Sequence, residues 1–255
     1  GTFNVGSDIV FTLESDDDNY VSRTFSFNGV SLTDFANAGS NSYTTTYTVS
    51  ENDASAYVVG TPAVSFYISD TFGNSSVEYT TAPSLVGGSA FYIDAHSPTI
   101  TNFTVESGDF VVGSTITATI TTNTDNDFDA SGGLQFVSAS FNNSNSVTNF
   151  VDNGDGVYFV DYIVTEGGTD VSSTTTLDAW VQLQDNTGNL SAVFNDATST
   201  DISIDANTPV IHEVQIESGN YGIGAEVLVY VITDGVDTYD LYSGSVNGKT
   251  PNGFT

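Results

Sequence analysis

The chain contains no cysteine and no methionine. Without thiols it has no disulfide framework, no thiolate nucleophile and no cysteine-based metal site. Positive charge is nearly absent as well. Arg23 and Lys249 stand against 32 Asp and Glu, for a formal charge of −30 over 255 residues. A surface of that sign repels phosphate backbones and anionic lipid, which excludes nucleic-acid binding and adsorption to an anionic membrane and makes divalent cations natural partners. No apolar run reaches membrane-spanning length and no signal-peptide pattern is present, so direct insertion of this segment into a membrane is not expected. No stretch of a dozen residues carries a capped helical apolar stripe.

What is present argues for a folded chain. Strong charge with little hydrophobicity would imply disorder, but 38% of residues are hydrophobic, 12% are aromatic, and they alternate. Internal repetition organises the sequence. "GTFNVGS" from Gly1, "GDFVVGS" from Gly108 and "GNYGIGA" from Gly219 align, and "VESG" at Val105 matches "IESG" at Ile216. "YTVSE" at Tyr47 matches "YIVTE" at Tyr162, "DTFGNSS" at Asp70 matches "DNTGNLS" at Asp185, and "DAHSPTI" at Asp94 matches "DANTPVI" at Asp205. The offset is 107 residues between Gly1 and Gly108 and 115 between Tyr47 and Tyr162, a variation absorbed by loops. Three repeats are expected: residues 1–96 without a first strand, a complete repeat at 97–207, and an opening portion at 208–255. The segment reads as cut from a longer array, with any export signal or anchor outside it.

Each repeat reads as strands. Ile116, Ala118 and Ile120 alternate with Thr, and their equivalents are Ile9, Phe11 and Leu13, then Val227, Val229 and Val231. Tyr158, Val160, Tyr162 and Val164 alternate in the same way, as do Ala179, Val181 and Leu183, which match Val64, Phe66 and Ile68. Period two in Thr, Val, Ile, Tyr and Phe describes strands with one buried face. About seven short strands per repeat between Gly, Asn, Asp and Ser turns predict an all-β fold of tandem immunoglobulin-like sandwiches, with a closed barrel as the lesser alternative.

The second repeat, "SPTITNFTVESGDFVVGSTITATIT", then "DNGDGVYFVDYIVTEGGTD", "LQDNTGNLS" and "ISIDANTP", resembles the tandem immunoglobulin-like repeats of large bacterial and archaeal cell-surface proteins. The shared features are the Pro-Thr-Ile start, the Asp-Gly-x-Tyr strand, the Asp-x-x-Gly-Asn hairpin and the Ile-Asp-x-x-x-Pro end. The resemblance implies an extracellular, cell-surface location and membership among surface-layer, sheath, filament or adhesin-stalk proteins. It implies no enzyme. Fold alone does not assign function.

In such a sandwich, Asp125, Asp127 and Asp129 fall in the loop after the second strand, and Asp185 in the hairpin between the last two strands. Both loops face the linker carrying Asp94, while Glu51 and Asp53 approach from the first repeat. Glu166, Asp170, Asp205, Asp234 and Asp237 repeat the pattern at the second junction. Hard oxygen ligands at this density suit Ca²⁺, which takes about 6–8 of them. Ca²⁺ stiffening the junctions is therefore expected, with Pro98 and Pro209 setting the direction of the following strands. The competing reading is that Asp and Asn serve their own turns. "DNGDG" at Asp152 lacks the spacing and terminal Glu of an EF-hand and reads as a turn.

His96, beside Asp94 and Ser97 on one extended segment, cannot form a triad, because triad partners converge in space. The second repeat has Asn207 in its place, and His212 aligns with Thr101. Paired acids for glycoside hydrolysis would need a cleft that a narrow sandwich seldom offers. Trp180, the single Trp, lies with Gln182 on the face opposite the core; sugar stacking and subunit contact stand against an ordinary half-covered aromatic. Asn74, Asn102, Asn142 and Asn189 head Asn-x-Ser/Thr sequons. The expected function is an extracellular structural repeat segment of a surface-layer, sheath or filament assembly whose partners are further copies and divalent cations. The alternatives are the spacer stalk of an adhesin and a carbohydrate-binding accessory module.

Overall fold

A computed structural model describes residues 1–33, 35–54, 56–58, 64–86, 91–123, 133–142, 147–234, 239–240 and 242–251, without the side chains of 22, 23, 56–58 and 196. All regular structure among them is β. The first repeat contains β1 (Thr2–Phe3), β2 (Asp8–Glu14), β3 (Val21–Phe27), β4 (Val30–Leu32), β5 (Ala36–Gly39), β6 (Ser42–Thr48), β7 (Ala56–Val58), β8 (Val64–Ser69) and β9 (Phe91–Ile93). The second contains β10 (Ile100–Val105), β11 (Gly108–Val111), β12 (Thr115–Thr122), β13 (Gln135–Phe141), β14 (Val147–Gly154), β15 (Val157–Ile163), β16 (Val171–Gln184) and β17 (Phe194–Asp205). The third contains β18 (Ile211–Ile216) and β19 (Val229–Thr233).

In the second repeat β10, β12, β15 and β14 form one layer, and β13, β16 and β17 form the other. β11 runs parallel to β17, and β10 touches both layers, pairing with β12 along its length and with β17 at Thr104↔Thr198. This is the two-layer immunoglobulin-like sandwich that the alternation predicted. The alternating residues are its interior: Ile116, Ala118, Ile120, Val181 and Leu183 are all 0% exposed. Phe141 and Tyr162 stack across the layers at 4.9 Å.

The first repeat has the same plan. β2–β6–β5 forms one layer and β4–β3–β8 the other, while β1 runs parallel to β9 as β11 does to β17. Its separate core is more aromatic, with Phe25, Phe27 and Phe66 where the second repeat has Ala139, Phe141 and Val181. Tyr43 and Tyr158 occupy one structural position. Their hydroxyls accept the backbone N–H of Tyr20 at 2.8 Å and of Leu134 at 3.0 Å, immediately before β3 and β13 begin.

The third repeat is represented by a single pair of strands among the described residues. β18 and β19 pair with the bulge and register of β10 and β12, offset by 111 residues, yet every residue of β18 is exposed and Val227 is 41% exposed. Among the described residues no second layer covers them, so their alternation has no core to face.

Candidate functional site

The points where one repeat passes into the next concentrate most of the candidate residues. At both, a glutamate holds the linker. Glu51 accepts the backbone N–H and hydroxyl of Ser97 at 3.0 and 2.6 Å, and Glu166 accepts those of Thr208 at 3.0 and 2.7 Å. The following residue closes the clamp through its backbone, Asn52 N–H to the Ala95 carbonyl and Gly167 N–H to the Ala206 carbonyl. Asp94 and Asp205 each accept the N–H two residues on, at 3.2 Å, as Asx turns. The clamps differ in one acid. Asp53 accepts from Tyr47 and Ser50 within its own loop, whereas Asp170 reaches the linker at Ala206 N–H and Asn207 Nδ2, both at 2.8 Å.

The first junction has a further layer, built by the Asp185 hairpin of the second repeat. Asp185 Oδ1 accepts the N–H groups of Thr187, Gly188 and Asn189 at 2.7–2.9 Å, and its Oδ2 accepts Asn189 Nδ2 at 2.8 Å. This shapes a turn in which Gly188 sits at φ +104°, with Asn4 Nδ2 only 2.9 Å from where a Cβ would stand. Glycine meets both conditions. The shaped hairpin then reaches the first repeat. Asn189 Nδ2 donates to the carbonyls of Asp94 and His96 at 3.3 and 3.2 Å, and Asn189 Oδ1 accepts Val5 N–H at 2.7 Å. Thr187 Oγ1 lies 2.7 Å from Asp94 Oδ2 and 2.8 Å from Asp185 Oδ1.

Asp94 and Asp185 are each 1% exposed and Asn189 is 2% exposed. Groups this deep need replacement for the water they lose. Among the described residues no buried side-chain nitrogen or oxygen lacks a partner. The junction therefore contains a polar lock between two hydrophobic cores in which every buried side-chain polar atom has a partner. The same hairpin of the first repeat, Asp70 to Asn74, faces solvent. There the Asp70 carboxyl is held below its usual range, first by the Asn74 amide and then by the N–H groups of Asn74, Phe72 and Gly73.

Of the acids expected to hold Ca²⁺, Asp94 and Asp185 come together through Thr187, and Glu51 meets the linker between them. Asp234, which follows Thr233 opposite Ile211, accepts from the Tyr239 hydroxyl. Asp125, Asp127, Asp129 and Asp237 lie outside the described residues. Among the described residues no three acids or histidines gather closely enough to hold a metal ion.

The sequons divide by environment. Asn74 and Asn102 are exposed. Asn189 is buried with its amide nitrogen shared among linker carbonyls, and Asn142, 6% exposed, donates to the Thr169 carbonyl at 2.6 Å. A glycan replaces one of the two amide hydrogens, which at Asn189 would remove part of the linker contact. Trp180 is half-buried on the outer face of β16, opposite Ser140 and Asn195. The sequence reading missed Asn189 and Thr187 as junction residues. The repeated Asp-x-x-Gly-Asn hairpin was the available signal, but nothing in it says which copy is covered.

No family model and no curated protein sequence matches this chain. Among solved structures it is similar to the I-band fragment I67–I69 of titin, at 10% identity and a TM-score of 0.38, over 84% of this chain and 65% of that one. It is also similar to the Escherichia coli adhesin FdeC, at 16% identity and a TM-score of 0.39, over 80% of this chain and 61% of that one. The titin domains Z1Z2 in complex with telethonin match at 10% identity and a TM-score of 0.25, over 82% and 93%. The chain thus spans less than two thirds of the I-band fragment and of the adhesin.

Proposed function

We propose that this chain is a structural segment of an extracellular surface protein, in which tandem sandwiches are held at a fixed mutual orientation to build a surface layer, sheath or filament. The observation that carries the reading is the buried lock around Asn189. A passive spacer needs only a linker, whereas here two repeats share buried carboxylates and satisfied amides. The high negative charge keeps such surfaces soluble and gathers divalent cations around them. Chemistry on a substrate has no part in this reading.

The test is differential scanning calorimetry of the whole chain and of Asn189→Ala. A rigid junction makes the first two repeats unfold as one coupled transition that splits in the variant. Two independent transitions in the unaltered chain would overturn the reading and favour a flexible adhesin stalk. Repeating the scans with Ca²⁺, with chelator and with monovalent salt of equal ionic strength separates the two roles of cations. A Ca²⁺-specific rise in Tm assigns the stiffening to bound metal; an equal rise in both salts assigns it to screening.

A further inference from the structure

One threonine hydroxyl stands between two buried carboxylates, and its hydrogen can serve only one of them. Thr187 Oγ1 lies 2.7 Å from Asp94 Oδ2 and 2.8 Å from Asp185 Oδ1. Both separations are usual for O–H···O hydrogen bonds, so each calls for a hydrogen. A hydroxyl supplies one hydrogen and offers two lone pairs. One lone pair faces the Asn189 amide, whose Nδ2 is 3.0 Å away. With both carboxylates ionised, the hydroxyl donates to one and turns its remaining lone pair toward the oxygen of the other. That second contact is repulsive. Water does not relieve it, because Asp94 and Asp185 are each 1% exposed. The two carboxylate oxygens stand no farther apart than the sum of the two distances, in a chain of formal charge −30. Like charges so close, in a place with little water, penalise double ionisation.

A single added proton completes the set. The Asp94 carboxyl then donates to Thr187 Oγ1, and the Thr187 hydroxyl donates to Asp185 Oδ1 while still accepting from Asn189. The proton comes from solvent, and no other group gives one up. It belongs on Asp94 rather than on Asp185. Asp185 accepts the N–H groups of Thr187, Gly188 and Asn189 on Oδ1 and Asn189 Nδ2 on Oδ2, a set of donors that fits the charged form. The Asp94 carboxyl meets this hairpin through the Thr187 hydroxyl. The other titratable groups of the junction are His96, whose N–H reaches Asp94 Oδ1, Glu51 on Ser97, and Asp53 on Tyr47 and Ser50. β1, which accepts the Asp94 N–H at the Phe3 carbonyl, brings no charged side chain.

We propose that the junction is a proton-operated coupling: Asp94 takes up one proton as the surroundings turn mildly acidic, and the loaded junction holds the two repeats more tightly. The inference rests on the rigid junction of the structural reading above and gives it a regulator. In the unfolded chain Asp94 is solvated and ionises near about pH 3.9, as free aspartate does. In the folded chain the same carboxyl keeps its proton to higher pH. Between those two points the folded chain holds one proton more than the unfolded chain, so stability rises as pH falls. The contribution is lost as pH rises through the folded value. Acid therefore strengthens this contact, whereas it weakens an ordinary hydrogen-bonded carboxylate.

The test compares the whole chain with Asp94→Asn by differential scanning calorimetry from about pH 8 to about pH 5, with chelator present so that no metal substitutes for the proton. The new amide is a fixed copy of the protonated acid: it donates to Thr187 and still accepts the His96 N–H. At about pH 8 the variant should melt about 3 °C above the unaltered chain, and the gap should close as pH falls to about 5. His96→Asn, the residue that the second linker has there, should leave this closing unchanged, which separates it from histidine titration. A gap that does not change with pH, or a variant that melts lower at every pH, overturns the proposal. Carbon NMR of aspartate-labelled unaltered chain gives a reading that needs no variant to fold: the Asp94 carboxyl should titrate above the exposed aspartates, and titration together with them overturns the proposal. Independent unfolding of the two repeats at every pH overturns the structural reading as well; one coupled transition with a constant gap overturns this proposal alone.

Discussion

The two junctions begin from nearly the same words, "DAHSP" and "DANTP", and end in different environments. Both have the glutamate clamp, the closing backbone bond and the Asx turn. Asp94 is nevertheless 1% exposed, whereas Asp205 is exposed. The difference lies in what approaches from the following repeat. At the first junction the Asp185 hairpin arrives with Thr187 and Asn189; at the second, no described residue plays that part. A linker motif supplies half of a site, and its partner loop supplies burial.

Asn189→Ala should widen this comparison most. It strands Val5 N–H and the Asp94 and His96 carbonyls in a buried place, and a loss of about 3 kcal/mol is expected, measured by urea unfolding of the second repeat. Asn74→Ala makes the same chemical change at the solvent-facing hairpin and should cost about 1 kcal/mol or less. Equal costs would mean that Asn189 serves only its own turn. Asp94→Ala should follow at about 2 kcal/mol, because the Thr187 hydroxyl loses a buried acceptor. Asp205→Ala should fall near about 0.5 kcal/mol, so the ratio of the two measures how far burial, rather than the Asx turn, sets the effect.

Smaller effects sharpen the shared half. Glu51→Ala and Glu166→Ala should each cost about 0.5–1 kcal/mol and speed amide hydrogen exchange at Ser97 and Thr208 respectively. Unequal exchange would show that the lock, not the clamp, protects the first linker. The smallest effect is confined to alkaline solution. Burial, and next the hydrogen bond to Asp53, push the Tyr47 phenol up from 10.0 to about 12. A raised phenol favours the neutral form in the folded chain. Its contribution is therefore complete below about pH 10 and is lost as pH rises through about 12. Asp53→Asn should shift phenolate formation downward in an ultraviolet titration. The second repeat has Gly168 at the Asp53 position, so no matching effect of that kind is expected there.

The core was legible because strands report their buried face directly. Each side chain at Ile116, Ala118 and Ile120 points to the same side, and hydrophobicity marks it. The hairpins were legible as turns because Asp, Gly and Asn each carry a local backbone preference. The lock was not. Asn189 read as a sequon, and nothing local in the sequence connects it to the Asp94 linker. Whether a carboxylate meets a metal, water or an amide depends on which loop folds against it from about 90 residues away, as Thr187 does on Asp94. The third repeat makes the same point in reverse: alternation in β18 and β19 indicates a face, but a face becomes a core only when a second layer covers it.

By itself the sequence determined the order of the repeated motifs, the all-β fold, the buried face of its main strands and the strongly negative net charge. These follow from periodicity, turn chemistry and net charge, which are local or summed properties. Tertiary structure alone decided that the Asp185 hairpin packs on the linker of the preceding repeat and which N–H and O–H groups meet the buried carboxylates. Those outcomes depend on long-range proximity, and closely similar short motifs acquire different energies when one copy loses water and the other keeps it.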